Sequence, residues 1–285
     1  MTFTTDWALV FGEVIFDCYQ DRVCMGGAPL NFAWNLRQFG VCVDMVSAVG
    51  RDDLGDQVRD ALRRSDIGQE WVMDQPQPTG TVDVLLANGE PDYTINENVA
   101  WDNIELKKIP KNQPRLIYFG TLAQRTECNQ ITLRRLMQIQ PRHRFFDVNL
   151  RQHYHSPDIL LNGLRWATIL KASEDEWQII SPLVGRSPPP QLLDDFDLDM
   201  IAITRGAEGA ELYIPGQMFK SQSPRVPVID AVGAGDAFSA VLAAGVMLDT
   251  DPVRMLEAAC VAGAAIVQRR GPQQTLPAEV LAAIS

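Results

Sequence analysis

A glycine-rich turn that ends in an acid is the part of this sequence best suited to chemistry. The segment DAVGAGDAF spans residues 230–238 and leads from an extended approach into a predicted helix. Small residues let backbone N–H groups converge on an anion, and the start of a helix adds unpaired N–H groups and a positive dipole end. Asp236 falls in the first helical turn, where its carboxylate is held ionised and could accept a proton from a hydroxyl that attacks a phosphate. The segment therefore predicts an anion cradle beside a base, and a plain capped helix start is the alternative.

A second motif of small residues, GGAPLNFA at residues 26–33, leads into a predicted helix that ends before Gly40. Glycine is a common stop at the C-terminal end of a helix. Further segments lie between the two motifs in chain order: VGRDDLG at residues 49–55, DVNLR at 147–151 and ITRGAEG at 203–209. Taken together, these segments resemble the ribokinase-like, pfkB-type family of carbohydrate kinases over nearly the whole chain, and most of all its bacterial fructokinases.

The resemblance implies that the γ-phosphoryl group of ATP is transferred to a sugar hydroxyl. It makes Asp236 the catalytic base and forms the anion hole from Gly233, Ala234 and Gly235. The residues that it implies in substrate binding are Asp17, Gly26, Gly27, Asn31, Asn149 and Arg151. Those that it implies in ATP binding are Ser173, Glu176, Thr204, Gly206 and Gly209, with Glu176 organising Mg²⁺ through water. A site for a monovalent cation, with K⁺ as the candidate, would include Asp230, Gly271 and Thr275.

The chain departs from the family pattern at two positions. The family usually has Thr where this chain has Ala231, and Asn where it has Ser173. The first change removes a methyl and a hydroxyl group near the expected cation site, and the second gives a shorter donor and acceptor. Potassium dependence is therefore a hypothesis based on Asp230 and the tail segment. The acids at residues 174–176 also fit a plain helix start, where the dipole favours them.

Short apolar strands alternate with amphipathic helices, which is typical of a parallel sheet with helices on both faces. The predicted core strands span residues 8–11, 116–119, 145–148, 168–170 and 200–203. A predicted helix between them spans residues 129–138. Ligands of such sheets sit beyond the carboxyl ends of the strands, where this chain has Gly120, Asp147, Asn149, Ser173 and Thr204. The stretch SPPP at residues 187–190 predicts a surface loop before a helix. The expected fold is a three-layer α/β/α domain over residues 1–285 with a mainly parallel central sheet.

A second set of strands breaks this alternation and is predicted to form a small β-sheet lid. Residues 79–87 are rich in Val, Thr and Leu, Asn88-Gly89 is a strong hairpin signal, and residues 92–95 return. Residues 14–19 and 22–25 could pair with them, so the lid strands come from about 13–25 and 79–97. A lid over the sugar would exclude water, which competes as phosphoryl acceptor. A plain surface hairpin is the alternative; relatives commonly dimerise through the lid, so a homodimer is a candidate that the sequence does not decide.

Composition excludes several other classes of protein. The 285 residues are 46% hydrophobic, enough for a large core, and contain no apolar run of the roughly 18 residues that a membrane span needs. The net charge of −11 argues against nucleic acid as a partner. The five cysteines lack metal or disulfide spacing, and the N-terminal residues lack the basic start of a secretory signal, so the cytoplasm is the expected location.

The choice of sugar depends on few positions. The motif Gly26-Gly27-Ala28-Pro29 and residues 98–104 look like those of fructokinases, which favours fructose; ribokinases carry Lys after the two glycines. Arg151 keeps 2-keto-3-deoxygluconate kinase as an alternative, because an arginine can bind a carboxylate, although a structural salt bridge is equally expected. Ribokinase and nucleoside kinase activity are less favoured alternatives within the family. A non-catalytic sugar- or nucleotide-binding regulator is the alternative of another class, and the retained Asp236 argues against it.

Overall fold

The structure is a computed structural model that describes residues 7–87 and 90–284. Its strands are β1 (Trp7–Phe11), β2 (Ile15–Cys18), β3 (Val23–Gly26), β4 (Cys42–Gly50), β5 (Gly68–Gln75), β6 (Gly80–Ala87), β7 (Glu90–Ile95), β8 (Leu116–Gly120), β9 (His143–Asp147), β10 (Ile169–Ser173), β11 (Met200–Thr204), β12 (Ala210–Ile214) and β13 (Gln217–Ser221). Its helices are α1 (Ala28–Arg37), α2 (Asp53–Arg64), α3 (Glu127–Met137), α4 (Pro157–Trp166), α5 (Glu174–Leu183), α6 (Pro189–Phe196), α7 (Ala234–Met247), α8 (Pro252–Ile266) and α9 (Ala278–Ala283).

The central sheet has nine strands in the order β13-β12-β11-β10-β9-β8-β1-β4-β5. The pairs from β11 through β5 are parallel, and the last two pairs, β11 with β12 and β12 with β13, are antiparallel. Most of the parallel strands are rich in apolar residues because helices cover both of their faces, and polar residues such as Lys171 of β10 and Asp147 of β9 interrupt them. The mainly parallel sheet predicted from the sequence is confirmed, and all predicted core strands belong to it.

Two apolar clusters lie on opposite faces of this sheet. Side chains alternate along β1, so Ala8 and Val10 join one cluster while Leu9 and Phe11 join the other. The first cluster includes the apolar faces of α1, α7 and α8, and the second includes those of α3 and α4. Helices on both sides of a sheet make the three-layer α/β/α architecture, as predicted.

A separate sheet of four strands has the order β3-β2-β6-β7. Strands β2 and β6 are parallel, while β2 with β3 and β6 with β7 are antiparallel. These strands fall in the segments that the sequence assigns to a small sheet. The predicted turn at Asn88-Gly89 lies outside the described residues.

One boundary predicted from the sequence is wrong. The surface loop expected at residues 187–190 is shorter, because Pro189 and Pro190 form the first turn of α6. Proline is tolerated there because the first N–H groups of a helix have no intrahelical partner. Within the described ranges, 7–87 and 90–284, we find no helix with both the length and the apolar character needed to cross a membrane.

Candidate active site

The turn before α7 has an open helix N-terminus. Gly233 is the N-cap residue with φ +85°, and no side chain of the described ranges caps the helix. A Cβ on Gly233 would lie 2.4 Å from Cβ and 2.8 Å from Cα of Pro272. The position therefore requires glycine for two reasons: its positive φ angle and the lack of space for a Cβ atom. The first N–H groups of α7, including those of Gly235 and Asp236, have no intrahelical acceptor and can bind an anion.

Asp236 lies beside this turn, buried and held by an amide from α1. Asn31 donates from Nδ2 to Oδ2 of Asp236 over 2.8 Å, and Oδ1 of Asn31 is buried without a partner among the residues that the structure describes. Burial raises the pKa of Asp236 to about 6, while the bond from Asn31 lowers it. The carboxylate is therefore ionised at neutral pH and can accept a proton. The free oxygen of Asn31 can in turn accept a hydrogen bond from a hydroxyl of a bound molecule.

The predicted substrate residues Asp17, Gly26 and Gly27 lie on β2, at the end of β3 and at the start of α1, the helix that carries Asn31. Asp17 is a half-buried residue of β2, and a Cβ on Gly26 would lie 3.7 Å from its Oδ2. Gly27 has φ +105°, and a Cβ there would lie 2.7 Å from the carbonyl oxygen of Glu13. Gly27 thus lets the start of α1 approach the backbone of Glu13, while the distance at Gly26 is an ordinary van der Waals contact. Burial raises the pKa of Asp17, and the nearby charge of Arg151 lowers it.

Arg151 and Asn149 follow β9. Arg151 donates from Nη1 to the carbonyl oxygen of Leu150 over 3.0 Å, and among the residues described it forms no ion pair. Its positive charge lowers the pKa of Glu13, Asp17 and Asp236, so it lies near all these carboxyl groups. Asn149 has a left-handed backbone with φ +41°. Within the described part of the chain, the structural salt bridge considered for Arg151 is thus not formed, and the guanidinium is open to a ligand.

A cavity of about 1150 Å³ extends from the glycine turn to the loop after β11. Its lining includes Ala234, Gly235, Thr204, Gly206 and Gly209. Val228, Phe238 and Cys260 add apolar walls. The cavity has the size and the mixed lining of a small-molecule site. The structure therefore joins two of the predicted anion-hole residues with three of the predicted nucleotide residues in one space, while Gly233, Ser173 and Glu176 are not among the described residues that line it.

Ser173 and Glu176 form a capping box at the start of α5. Ser173 accepts from the N–H of Glu176, and Oε2 of Glu176 accepts from the N–H of Ser173 over 2.7 Å. Oε1 of Glu176 accepts from the N–H of Leu150 over 2.8 Å. Helix capping thus accounts for both side chains, and their role toward a nucleotide stays a prediction.

The candidate Mg²⁺ residue, Glu176, suits an ion that binds together with the phosphates of a nucleotide. The described part of the chain holds no cluster of three or more His, Cys, Asp or Glu able to bind a metal alone. Mg²⁺ is commonly bound by one or two carboxylates together with substrate phosphates, and Glu176 retains lone pairs for a water ligand.

The candidate site for a monovalent cation lies at Asp230. Asp230 accepts from the N–H of Gly271 over 3.0 Å. Thr275 is exposed, and among the described residues the hydrogen-bond partners of Asp230 are the N–H groups of Val232 and Gly271.

Two buried groups at the site, Lys171 and Glu13, were not predicted from the sequence. Lys171 forms an ion pair with Asp147, 3.0 Å from Nζ to Oδ1, and both are almost fully buried. Glu13 is 4% exposed, and its burial raises its pKa to about 7. A lysine inside an apolar strand was the available signal for the first, because lysine is almost never buried unless paired.

Comparison with known proteins agrees with this geometry. The model of the "pfkB family carbohydrate kinase" matches residues 3–279. A fructokinase of Escherichia coli is 27% identical over 295 residues, which cover 94% of this chain and 95% of the relative. An ATP-dependent ribose-1-phosphate kinase of Halopiger xanaduensis is 26% identical and covers 90% of this chain and 85% of its own. The crystal structure of fructokinase with bound ATP from Xylella fastidiosa superposes with a TM-score of 0.82 at 22% identity, covering 97% of each chain.

The family model matches almost from end to end, and the matched region includes the glycine turn, Asn31 and Asp236. The prediction of a carbohydrate kinase from the sequence is therefore confirmed. The chain belongs to the pfkB family of carbohydrate kinases.

Proposed function

We propose that this kinase transfers the γ-phosphoryl group of ATP to a hydroxyl of a neutral sugar, with fructose as the first candidate. The observation that carries the proposal is the pair of Asn31 and Asp236 beside the open N-terminus of α7. It puts a buried base next to anion donors, as phosphoryl transfer to an alcohol requires.

Each group at the site has its own role in phosphoryl transfer. The carboxylate of Asp236 takes the proton of the attacking hydroxyl. The N–H groups of Ala234, Gly235 and Asp236 stabilise charge on the transferring phosphoryl group. Mg²⁺ bound with ATP supplies further charge neutralisation, and Glu176 would hold it through water. Thr204, Gly206 and Gly209 border the space for the rest of the nucleotide.

The charges of the acceptor side favour a neutral sugar over an acidic one. Arg151 is near the carboxyl groups of Glu13, Asp17 and Asp236. An anionic substrate such as 2-keto-3-deoxygluconate would meet the carboxylates of Asp17 and Asp236 against the one guanidinium group of Arg151, and like charges oppose binding. The Gly26-Gly27-Ala28-Pro29 motif and the relative named fructokinase support fructose within the neutral sugars.

The experiment for this proposal is a coupled assay of ADP release with Mg²⁺ and ATP. The panel contains fructose, ribose, 2-keto-3-deoxygluconate, adenosine and inosine. We expect the highest kcat/KM with fructose. Highest activity with the acid sugar would overturn the charge argument, and ATP binding without turnover on any acceptor would favour the regulator.

Asp17→Ala is expected to act on sugar affinity. Loss of a hydrogen bond to a charged group costs about 1.5–3 kcal/mol, so KM for the sugar should rise about 10- to 100-fold while KM for ATP stays unchanged. Steady-state kinetics with each substrate varied in turn measures both. Asp21→Ala is the matched control, because Asp21 lies just after β2, the strand of Asp17, but is exposed and paired with Arg22. An equal rise of KM in both variants would exclude Asp17 as a sugar ligand.

We also propose a monovalent-cation site at Asp230. The bond from the N–H of Gly271 brings the tail segment to this carboxylate. A carboxylate oxygen at such a junction is a suitable ligand for a hard cation, and K⁺ is the candidate. We expect lower kcat in potassium-free sodium buffer than in potassium buffer at equal ionic strength, with a bulky organic cation as the inert control. Equal rates in all buffers would exclude the site.

The proposal extends to the small sheet as a lid of a single kinase domain in the cytoplasm. The sheet carries Asp17 on β2, so its closure over a sugar would bring this acid to the substrate and exclude water. A homodimer through this sheet is part of the same proposal. The mass in light scattering, with and without sugar, tests the assembly.

A further inference from the structure

Lys171 and Asp147 form a charged pair inside the central sheet, directly below the proposed site. Strand pairing sets them side by side, because Lys171 of β10 is in register with Asp147 of β9. Their side chains are 7% and 0% exposed, and Nζ lies 3.0 Å from Oδ1. Burying two charges is costly and is often no gain in stability over an apolar pair. A role in function is therefore the stronger explanation for this pair.

The pair is bonded to the helix that carries the proposed base. Ser239 of α7 donates from Oγ to Oδ2 of Asp147 over 2.8 Å, and Tyr118 of β8 donates to the same oxygen over 3.4 Å. Ser239 is three residues after Asp236, so the two side chains lie on the same face of α7. The face of α7 that presents Asp236 is thus hydrogen-bonded, through Ser239, to the charged pair in the sheet.

The ammonium group of Lys171 reaches the underside of the anion turn. A Cβ on Gly235 would lie 3.3 Å from Nζ of Lys171. The absence of a side chain at Gly235 therefore lets the ammonium approach the backbone that supplies the anion donors. An ammonium group has three donors, and Asp147 accepts from one of them.

We propose that Lys171, held by Asp147, is a positioning residue that places a permanent positive charge under the anion turn and keeps Asp236 ionised for catalysis. This inference rests on the proposed function, because it assumes that Asp236 is the base. Burial opposes the charge of Lys171, but the carboxylates of Asp147 and Glu176 outweigh it, and the pKa of Lys171 is raised. The ammonium therefore stays charged over the working pH range.

Several groups around Asp236 set its ionisation. Burial raises its pKa to about 6, the amide of Asn31 lowers it, Asp147 raises it, and Arg151 and Lys171 lower it. Glu13 and Tyr118 also lie within electrostatic reach of Asp236. Removing the charge of Lys171 must raise the pKa of Asp236 further. Removing the charge of Asp147 must lower it, so the two substitutions have opposite signs.

The test is the dependence of kcat/KM on pH for the best acceptor. The wild type should lose activity below about pH 6 as Asp236 takes up a proton. In Lys171→Met this acid limb should move up by about one pH unit, in line with the loss of a nearby opposite charge. In Asp147→Asn it should move down. Lys171→Arg keeps the charge, so its limb should stay near that of the wild type even where its larger head group lowers kcat.

Controls separate this inference from folding and from the proposed function. Calorimetric titration with ATP shows that each variant folds, and Glu13→Gln shows which carboxyl group produces the acid limb. A parallel fall of kcat/KM at every pH, with the limb unmoved in Lys171→Met and Asp147→Asn, would make the pair structural and overturn the inference. Loss of the limb in Glu13→Gln would also overturn it. A wild type that phosphorylates no acceptor would instead fail the proposed function, and this inference with it.

Discussion

Asp236→Asn is expected to lower kcat by about 10²- to 10⁴-fold, the range for a lost general base, while the affinity for ATP stays near that of the wild type. The amide has almost the same size as the carboxylate, and its oxygen can still accept from Nδ2 of Asn31, which bonds Asp236 over 2.8 Å. The packing of α7 is thus kept while the proton acceptor is lost. Single-turnover kinetics separates the chemical step from product release, and calorimetry measures ATP binding.

A matched control for this variant is Asp158→Asn. Asp158 is also an acid in the first turn of a helix, α4, but it is exposed. It should leave kcat unchanged, because the loss of a first-turn acid by itself costs only a few tenths of a kcal/mol to about 1 kcal/mol of helix stability. Wild-type turnover in Asp236→Asn would show that another group, with buried Glu13 as the first to examine, takes the proton.

The main elements of the site could be predicted because their chemistry is local in the sequence. The turn at residues 230–238 contains both its glycines and its acid within one helix start, and a helix start has the same unpaired N–H groups in any fold. The core strands were equally visible, because strands buried on both faces are continuous apolar runs. Local pattern thus sufficed for the mainly parallel sheet and for Asp236.

The electrostatic part of the site could not be predicted, because it arises from strand pairing. Lys171 and Asp147 are 24 residues apart and meet through the register of β10 with β9. The contact of Asn31 with Asp236 spans 205 residues. Sequence patterns indicate which residues lie at the end of a strand, but the distance between two such residues depends on tertiary packing.

Ser173 and Glu176 show a limit of a different kind. Their spacing fits both a family motif for nucleotide binding and a capping box, since the same residue types at positions N-cap and N3 satisfy backbone N–H groups. The structure displays the capping bonds of this pair. Residues that stabilise a helix start can also border a ligand there, because the helix N-terminus is itself the binding element.

Gly233→Ala is expected to lower kcat/KM by about 10²- to 10³-fold, the loss seen when a donor for a developing anion is removed. A methyl group there would lie 2.8 Å from Cα of Pro272, so the turn or the tail must move, and φ +85° disfavours a side chain. Gly216→Ala is the matched control, since Gly216 has φ +74° and no atom within 4 Å of a built Cβ. It should cost about 1 kcal/mol of stability and no activity, because it introduces backbone strain alone. Denaturant unfolding and steady-state kinetics on both variants separate the two effects. Both variants introduce a similar backbone strain, and only Gly233→Ala also displaces the turn. Equal kinetics in the two variants would therefore mean that the backbone of this turn does not contact the transferring group.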